Sequence, residues 1–78
     1  MKQVYYTVTK KGSGGNILYL KDEFKEVKGK IVIKWTTRPY EAYLRKDFNS
    51  CRIFASRYLK GLRYQINTIT LDQDKILN

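Results

Sequence analysis

Phe48, Cys51, Phe54, Ala55, Tyr58, Leu59 and Leu62 recur at intervals of three and four, the one place in the chain where apolar residues follow a helical period. At roughly 3.6 residues per turn they fall in a stripe about 140° wide, as expected for a helix lying on a sheet. Asp47 or Asn49 can cap its start, and Gly61 suits the left-handed residue that closes it. The spacing therefore predicts a helix over 48–60. One helix cannot bury its own stripe, so the rest of the chain must supply a surface for it.

That surface reads as strands. Residues 3–10 alternate, with Val4, Tyr6 and Val8 on one face and Tyr5, Thr7 and Thr9 on the other, the pattern of a half-buried strand. The polar stretch KGSGGN then leads into a second strand, with Leu18 and Leu20 alternating against Ile17 and Tyr19, and the two form a hairpin. Residues 22–29 read as a loop or short edge segment. Residues 30–36, KIVIKWT, are the clearest strand; Arg38-Pro39 breaks it because proline has no N–H for a ladder. Residues 40–45 alternate again and predict a fourth strand, with a helical first turn as the rival. After the helix, Tyr64 and Ile66 are out of phase with Ile69 and Leu71, which predicts a last strand with a bulge near Asn67. Residues 72–78 are expected to fray. The expected fold is α+β, an antiparallel sheet of four to five strands with one helix on a face, in the order β-β-β-(β)-α-β, as a single domain over 1–78.

So short a chain usually recruits a staple. Here there is one cysteine and no histidine, so no internal disulfide can form and a zinc site lacks ligands. A cytoplasmic setting is the expectation. No apolar run approaches the roughly 20 residues of a membrane span, and the start lacks a signal-peptide core. Without histidine the commonest general base is missing, Cys51 lies on the apolar stripe, and the carboxylates show no metal-binding spacing. GSGG at 12–15 lies between strands, where a KH loop does not belong, and the G-x-x-x-x-G-K-[ST] spacing of a Walker loop does not occur. No enzyme and no cofactor is expected.

What remains is charge. Sixteen Lys/Arg against seven Asp/Glu give a formal net charge of +9, and residues 29–63 hold nine of those cations with only two acids. Such a field attracts polyanions. Opposite the apolar stripe the helix carries Arg52, Lys60 and Arg63 on one flank and Arg57 on the other, without an acidic residue, around an outward-facing Ile53. An apolar residue ringed by arginines suits the centre of a docking patch. Lys34, Arg38, Arg45 and Lys46 could extend it. Tyr40 and Tyr43, with Tyr5, are the tyrosines expected at the surface, where rings among cations could stack bases, while Trp35, Phe48, Phe54 and Tyr58 read as core.

The stretch W-T-T-R-P-Y-E-A-Y-L…F-x-x-C-R-I-F-A-x-R-Y-L-K-G…Q-I-N-T-I-T-L resembles the ending of many small accessory proteins encoded by phages of Gram-positive bacteria, over roughly residues 30–71. In that group a strand with an E-A-type step leads into one helix ending at glycine, and a last strand follows. The resemblance implies a phage product that intervenes in host processes, a group that includes inhibitors of host defence nucleases, anti-CRISPR proteins among them. The group shares no active motif, so no residue role carries over. Many such inhibitors are acidic DNA mimics; this basic chain would instead hold an acidic protein surface or the nucleic acid of a nucleoprotein complex of the host. The expected function is inhibition or modulation of a host nucleic-acid-handling complex in the bacterial cytoplasm. The alternative is a stand-alone DNA- or RNA-binding protein using its basic, tyrosine-rich surface. A third possibility, self-assembly, rests on exposed strand edges. The sequence leaves the oligomeric state open.

Overall fold

The computed structural model describes residues 1–75, and its organising element is β1, Lys2–Lys11. Along one side of it runs β6, Gln65–Asp72, antiparallel and in unbroken register from Lys2 opposite Asp72 to Thr9 opposite Gln65. On the other side β2, Ile17–Leu20, pairs only with the last residues of β1, from Thr9 opposite Tyr19 to Lys11 opposite Ile17. The short β5, Trp35–Thr36, borders β2 and completes a sheet of order β5-β2-β1-β6. A separate hairpin joins β3, Lys25–Val27, to β4, Lys30–Val32. Its two-residue turn has Lys28 at φ 52° and Gly29 at φ 78°, both positive as a type I′ turn requires. One helix, α1, Phe48–Tyr58, packs against β1 and β6. The fold is α+β, as the patterning predicts.

Beyond Thr9 and Tyr19 the first two strands splay apart, and residues 42–45 fill the fork. Tyr43 N–H donates to the Leu20 carbonyl at 2.7 Å, while Arg45 and Tyr6 exchange backbone bonds of 2.9 and 2.7 Å. The expected fourth strand over 40–45 is thus divided. Pro39–Glu41 make a single 3-10 turn, for which proline's fixed φ is suited, and only Ala42 and Arg45 bridge like strand residues.

The wedge gives the sheet two apolar faces. Val8, Leu20 and Tyr43 meet Cys51, Ala55 and Leu59 of the helix layer. On the opposite face Tyr5, Ala42, Leu44 and Leu71 form a second cluster, against which Tyr19, Tyr40 and Ile69 pack. This explains the phase change that suggests a bulge near Asn67. There is no bulge: Ile66 serves the helix side, whereas Ile69 and Leu71 serve the other. Nor is β1 half-buried, since Tyr5, Thr7, Val8 and Thr9 are all buried.

Three further expectations change. KIVIKWT is not one strand, because its first half pairs with β3 and its second with β2. The helix stops at Tyr58 with Leu59 as cap, and Gly61 (φ 81°) turns the chain away, which leaves Tyr58 and Leu62 exposed; Phe48, at the helix start, is exposed as well. In the stretch expected to fray, Asp72 closes the β1–β6 ladder and Gln73–Lys75 form a 3-10 turn, tied back by the Gln73 N–H to the Met1 carbonyl at 2.9 Å. Residues 76–78 lie outside the described residues.

Leu20 is fully buried where the splayed strands, wedge and helix layer meet, so Leu20→Ala is expected to cost about 2–5 kcal/mol in denaturant unfolding. Thr7 is also fully buried, and its hydroxyl has no hydrogen-bond partner. Thr7→Val keeps the shape and removes the orphaned group, so it should raise stability by about 1 kcal/mol in the same assay.

Candidate partner-binding surface

Seven carboxylates confront sixteen cationic side chains, and the structure uses most of the acids internally. Asp47 caps α1, accepting from the Ser50 N–H at 3.0 Å and the Ser50 hydroxyl at 2.8 Å. Both bonds, the hydroxyl first, hold its carboxyl below the ordinary range. Glu23 accepts from the Lys34 ammonium at 2.7 Å, which lowers its pKa in the same way. Asp72 is lowered mainly by the Asp74 backbone N–H. Among the described residues only Lys34 and Arg38 form side-chain ion pairs, the latter with Glu41 at 3.5 Å. The other Lys and Arg side chains pair with no carboxylate among the described residues.

On the helix side the expected patch forms in part. Arg45, Ile53 and Arg57 meet at a shallow depression of about 270 Å³, floored by Tyr43 and Phe54 and flanked by Ser50 and Tyr58. The wedge places Tyr43 beneath Phe54, with ring centroids 4.8 Å apart, and Phe54 in turn lies 4.8 Å from Tyr58. Arg45 is held by two contacts. Its guanidinium lies 3.8 Å from the Tyr43 ring centroid, and its Nη1 donates to the Leu44 carbonyl at 2.7 Å. Ile53 is 46% exposed and Tyr58 39%. No carboxylate lines the depression.

The other expected site residues are dispersed. Arg52 is exposed beside the depression, its Nε and Nη2 donating to Asn49 Oδ1 at 3.1 and 2.8 Å. Lys60 is exposed beyond the helix end. Lys34 and Arg38 are engaged by acids. Lys46 follows Arg45 on an extended backbone and so turns to the opposite face of the sheet, over the Tyr5 ring at 4.7 Å and bonded to Gln3 Oε1 at 3.0 Å. The expected stacking tyrosines are core: Tyr5 and Tyr43 are buried and Tyr40 is half-buried in the second cluster. Burial also pushes the Tyr43 phenol pKa up. The exposed rings are instead Phe48, Tyr58 and Tyr64. Their exposure follows from the early end of the helix and from the narrow strip it buries, neither visible in a periodicity.

Arg63 belongs to a second feature that the sequence pattern misses. At the turning end of the β1–β2 hairpin, a groove of about 610 Å³ gathers Lys10, Lys11 and Ile17 from the hairpin with Leu62, Arg63 and Tyr64 from the link to β6. No carboxylate lines it either. Lys10 is steadied over the Trp35 ring, 4.6 Å from its centroid. The doublet Lys10-Lys11 and the residues after Gly61 are the only sequence signals for this groove, and they lie some 50 positions apart.

Burial pushes the Cys51 thiol pKa up, so the protonated form dominates at neutral pH. Among the described residues no group of three potential metal ligands occurs, and no helix is long and apolar enough to cross a membrane. No family model, curated protein or solved structure matches the chain.

Two measurements check this surface. Cys51 should resist alkylation in the native protein and react only on unfolding; rapid native labelling would show that the helix does not cover it. The lowered Asp47, Glu23 and Asp72 carboxyls contribute stability at pH above about 4. That contribution is lost as pH falls through their depressed native values. Asp47→Asn, which can still cap the helix but carries no charge, should lower Tm at neutral pH and make its acid-side fall shallower, so that the two proteins converge at low pH.

Proposed function

We propose that this chain is a binding protein without catalysis of its own. It docks through the α1 face onto an acidic protein surface of a nucleic-acid-handling complex and thereby inhibits or modulates that complex. The observation that carries this is Ile53, half-exposed at the depression beside Arg45 and Arg57 with no carboxylate lining it. Arginine and exposed aromatic or aliphatic groups are the residues that dominate protein interfaces, and the ion-pair-free cations supply orientation and a faster encounter. The resemblance to phage accessory proteins extends the reading to a phage-encoded inhibitor acting in a bacterial cytoplasm on a defence nuclease, such as a CRISPR effector.

A second reading, direct binding of DNA or RNA, is favoured by the hairpin-end groove, where Lys10, Lys11 and Arg63 lie beside the exposed Tyr64. Cations for phosphates and a ring for a base are the elements of single-strand binding.

The two surfaces do not share a lining residue, so they can be tested separately. Ile53→Asp is expected to weaken binding to, and inhibition of, a purified effector roughly tenfold or more. Its effect on fluorescence anisotropy of labelled single strands should be small. Lys10→Glu combined with Arg63→Glu should do the reverse, and the wild-type nucleic-acid affinity should fall log-linearly with salt. A normal effector complex with Ile53→Asp would remove the helix face from the proposal. Nucleic-acid binding near physiological salt, abolished by the groove variant, would make nucleic acid the direct ligand.

A further inference from the structure

The outer edge of β6 is open. Among the described residues β6 pairs with β1 alone, and its direction of hydrogen bonding can be assigned residue by residue. Tyr6 exchanges both backbone bonds with Arg45, away from β6. Successive residues of a strand point their N–H and C=O groups to opposite sides, so Tyr5 and Thr7 point toward β6. Their partners Ile69 and Asn67 point back at β1. Ile66, Thr68 and Thr70 therefore present their N–H and C=O groups outward. Gln65–Asp72 runs eight residues without proline, glycine, bulge or lysine, the features by which edge strands usually prevent pairing.

We infer that β6 is the interface between two copies of this chain, pairing antiparallel with itself across a two-fold axis. Three observations favour a second copy as the occupant. Residues 64–74 are the longest stretch without Lys or Arg, so two chains of formal charge +9 meet there with the least repulsion. The strand is also self-complementary in charge. Arg63 precedes it, while Asp72 and Asp74 stand at its end, 3.3 and 3.4 Å from the Met1 ammonium; antiparallel pairing sets Arg63 of each copy beside those carboxylates instead of beside a second Arg63. Finally, the pairing closes. The opposite edge of the sheet is β5, two residues long, too short to propagate a stack, so assembly stops at two. With Thr68 opposite Thr68 of the second copy, Ile66 faces Thr70 and every outward group is satisfied. Because the axis is perpendicular to the sheet, both α1 helices lie on one face of a continuous eight-stranded sheet.

The test is the mass of nucleic-acid-free protein by light scattering and sedimentation over a concentration series. The expected result is a reversible two-chain species. Thr68→Pro removes an outward N–H that has no partner among the described residues, and Thr68→Lys sets two ammonium groups against each other at the axis. Both should yield single chains with unchanged circular dichroism and with the Tm that the wild type shows when diluted to single chains, and Thr68→Lys decides if the proline variant fails to fold. Thr68→Cys should cross-link to its copy on oxidation, since directly opposite Cα atoms about 5.5 Å apart lie within disulfide reach. Buried Cys51 stays reduced. A single-chain mass up to millimolar protein with no Thr68→Cys cross-link would overturn the inference. So would a dimer that survives folded Thr68→Pro or Thr68→Lys, because its interface would lie elsewhere.

Discussion

The backbone bonds that residues 42–45 make in the fork between β1 and β2 hold the rest of the structure in place. Splayed strands expose unpaired N–H and C=O groups, and leaving them buried without partners would cost more than any side-chain contact nearby recovers. Tyr43 and Arg45 satisfy those on Leu20 and Tyr6. The strand-like alternation of the wedge then sends Ala42 and Leu44 to one core and Tyr43 to the other. It also aims Arg45 over the Tyr43 ring at the helix depression and Lys46 at the opposite face. The exposed surface beside the helix is thus set by a segment that is neither helix nor regular strand.

The fold class was legible because a single change of period, from two to about 3.6, marks the one α-helix among the described residues. Asp47 and Gly61 marked its ends to within two residues. What escaped was partnership. Alternation in KIVIKWT correctly indicated extended backbone, but nothing local says that Lys30–Val32 and Trp35–Thr36 belong to different sheets. The out-of-phase apolar residues of β6 mean two buried faces instead of a bulge, and a period cannot separate those cases. The candidate site was legible to the same degree. Contiguous helix residues gave Ile53 and Arg57, whereas the burial of Tyr5 and Tyr43 depends on the wedge, and the Lys10–Arg63 groove depends on the contact of two distant turns.

The few acids do little to break up the cationic surface. Glu23, Glu41, Asp47, Asp72 and Asp74 all accept bonds or ion pairs that fix local structure. Only two of them neutralise a lysine or arginine side chain. The acids therefore serve as caps and clasps, and most of the cations are left to face solvent. Such a distribution carries a stability cost through self-repulsion, which salt screens within a Debye length of roughly 8–10 Å. A polyanionic or acidic partner relieves the same repulsion by direct contact, so affinity for it draws on energy already stored in the free protein.

That stored repulsion also bears on the open edge. Uncharged, β-branched edges ordinarily invite indiscriminate stacking. Here a like charge of +9 on every copy opposes any approach that lacks compensating contacts. Parallel pairing of β6 would set Arg63 beside Arg63 and Asp72 beside Asp72, whereas antiparallel pairing exchanges them. The charge proposed to attract a partner would thus also restrict self-association to one orientation. A two-fold pair on that edge presents two helix faces side by side, which would let each dimer engage a symmetric or extended acidic target at both ends. Binding at the second site then proceeds at a high effective concentration, without any contact beyond those already present in one copy.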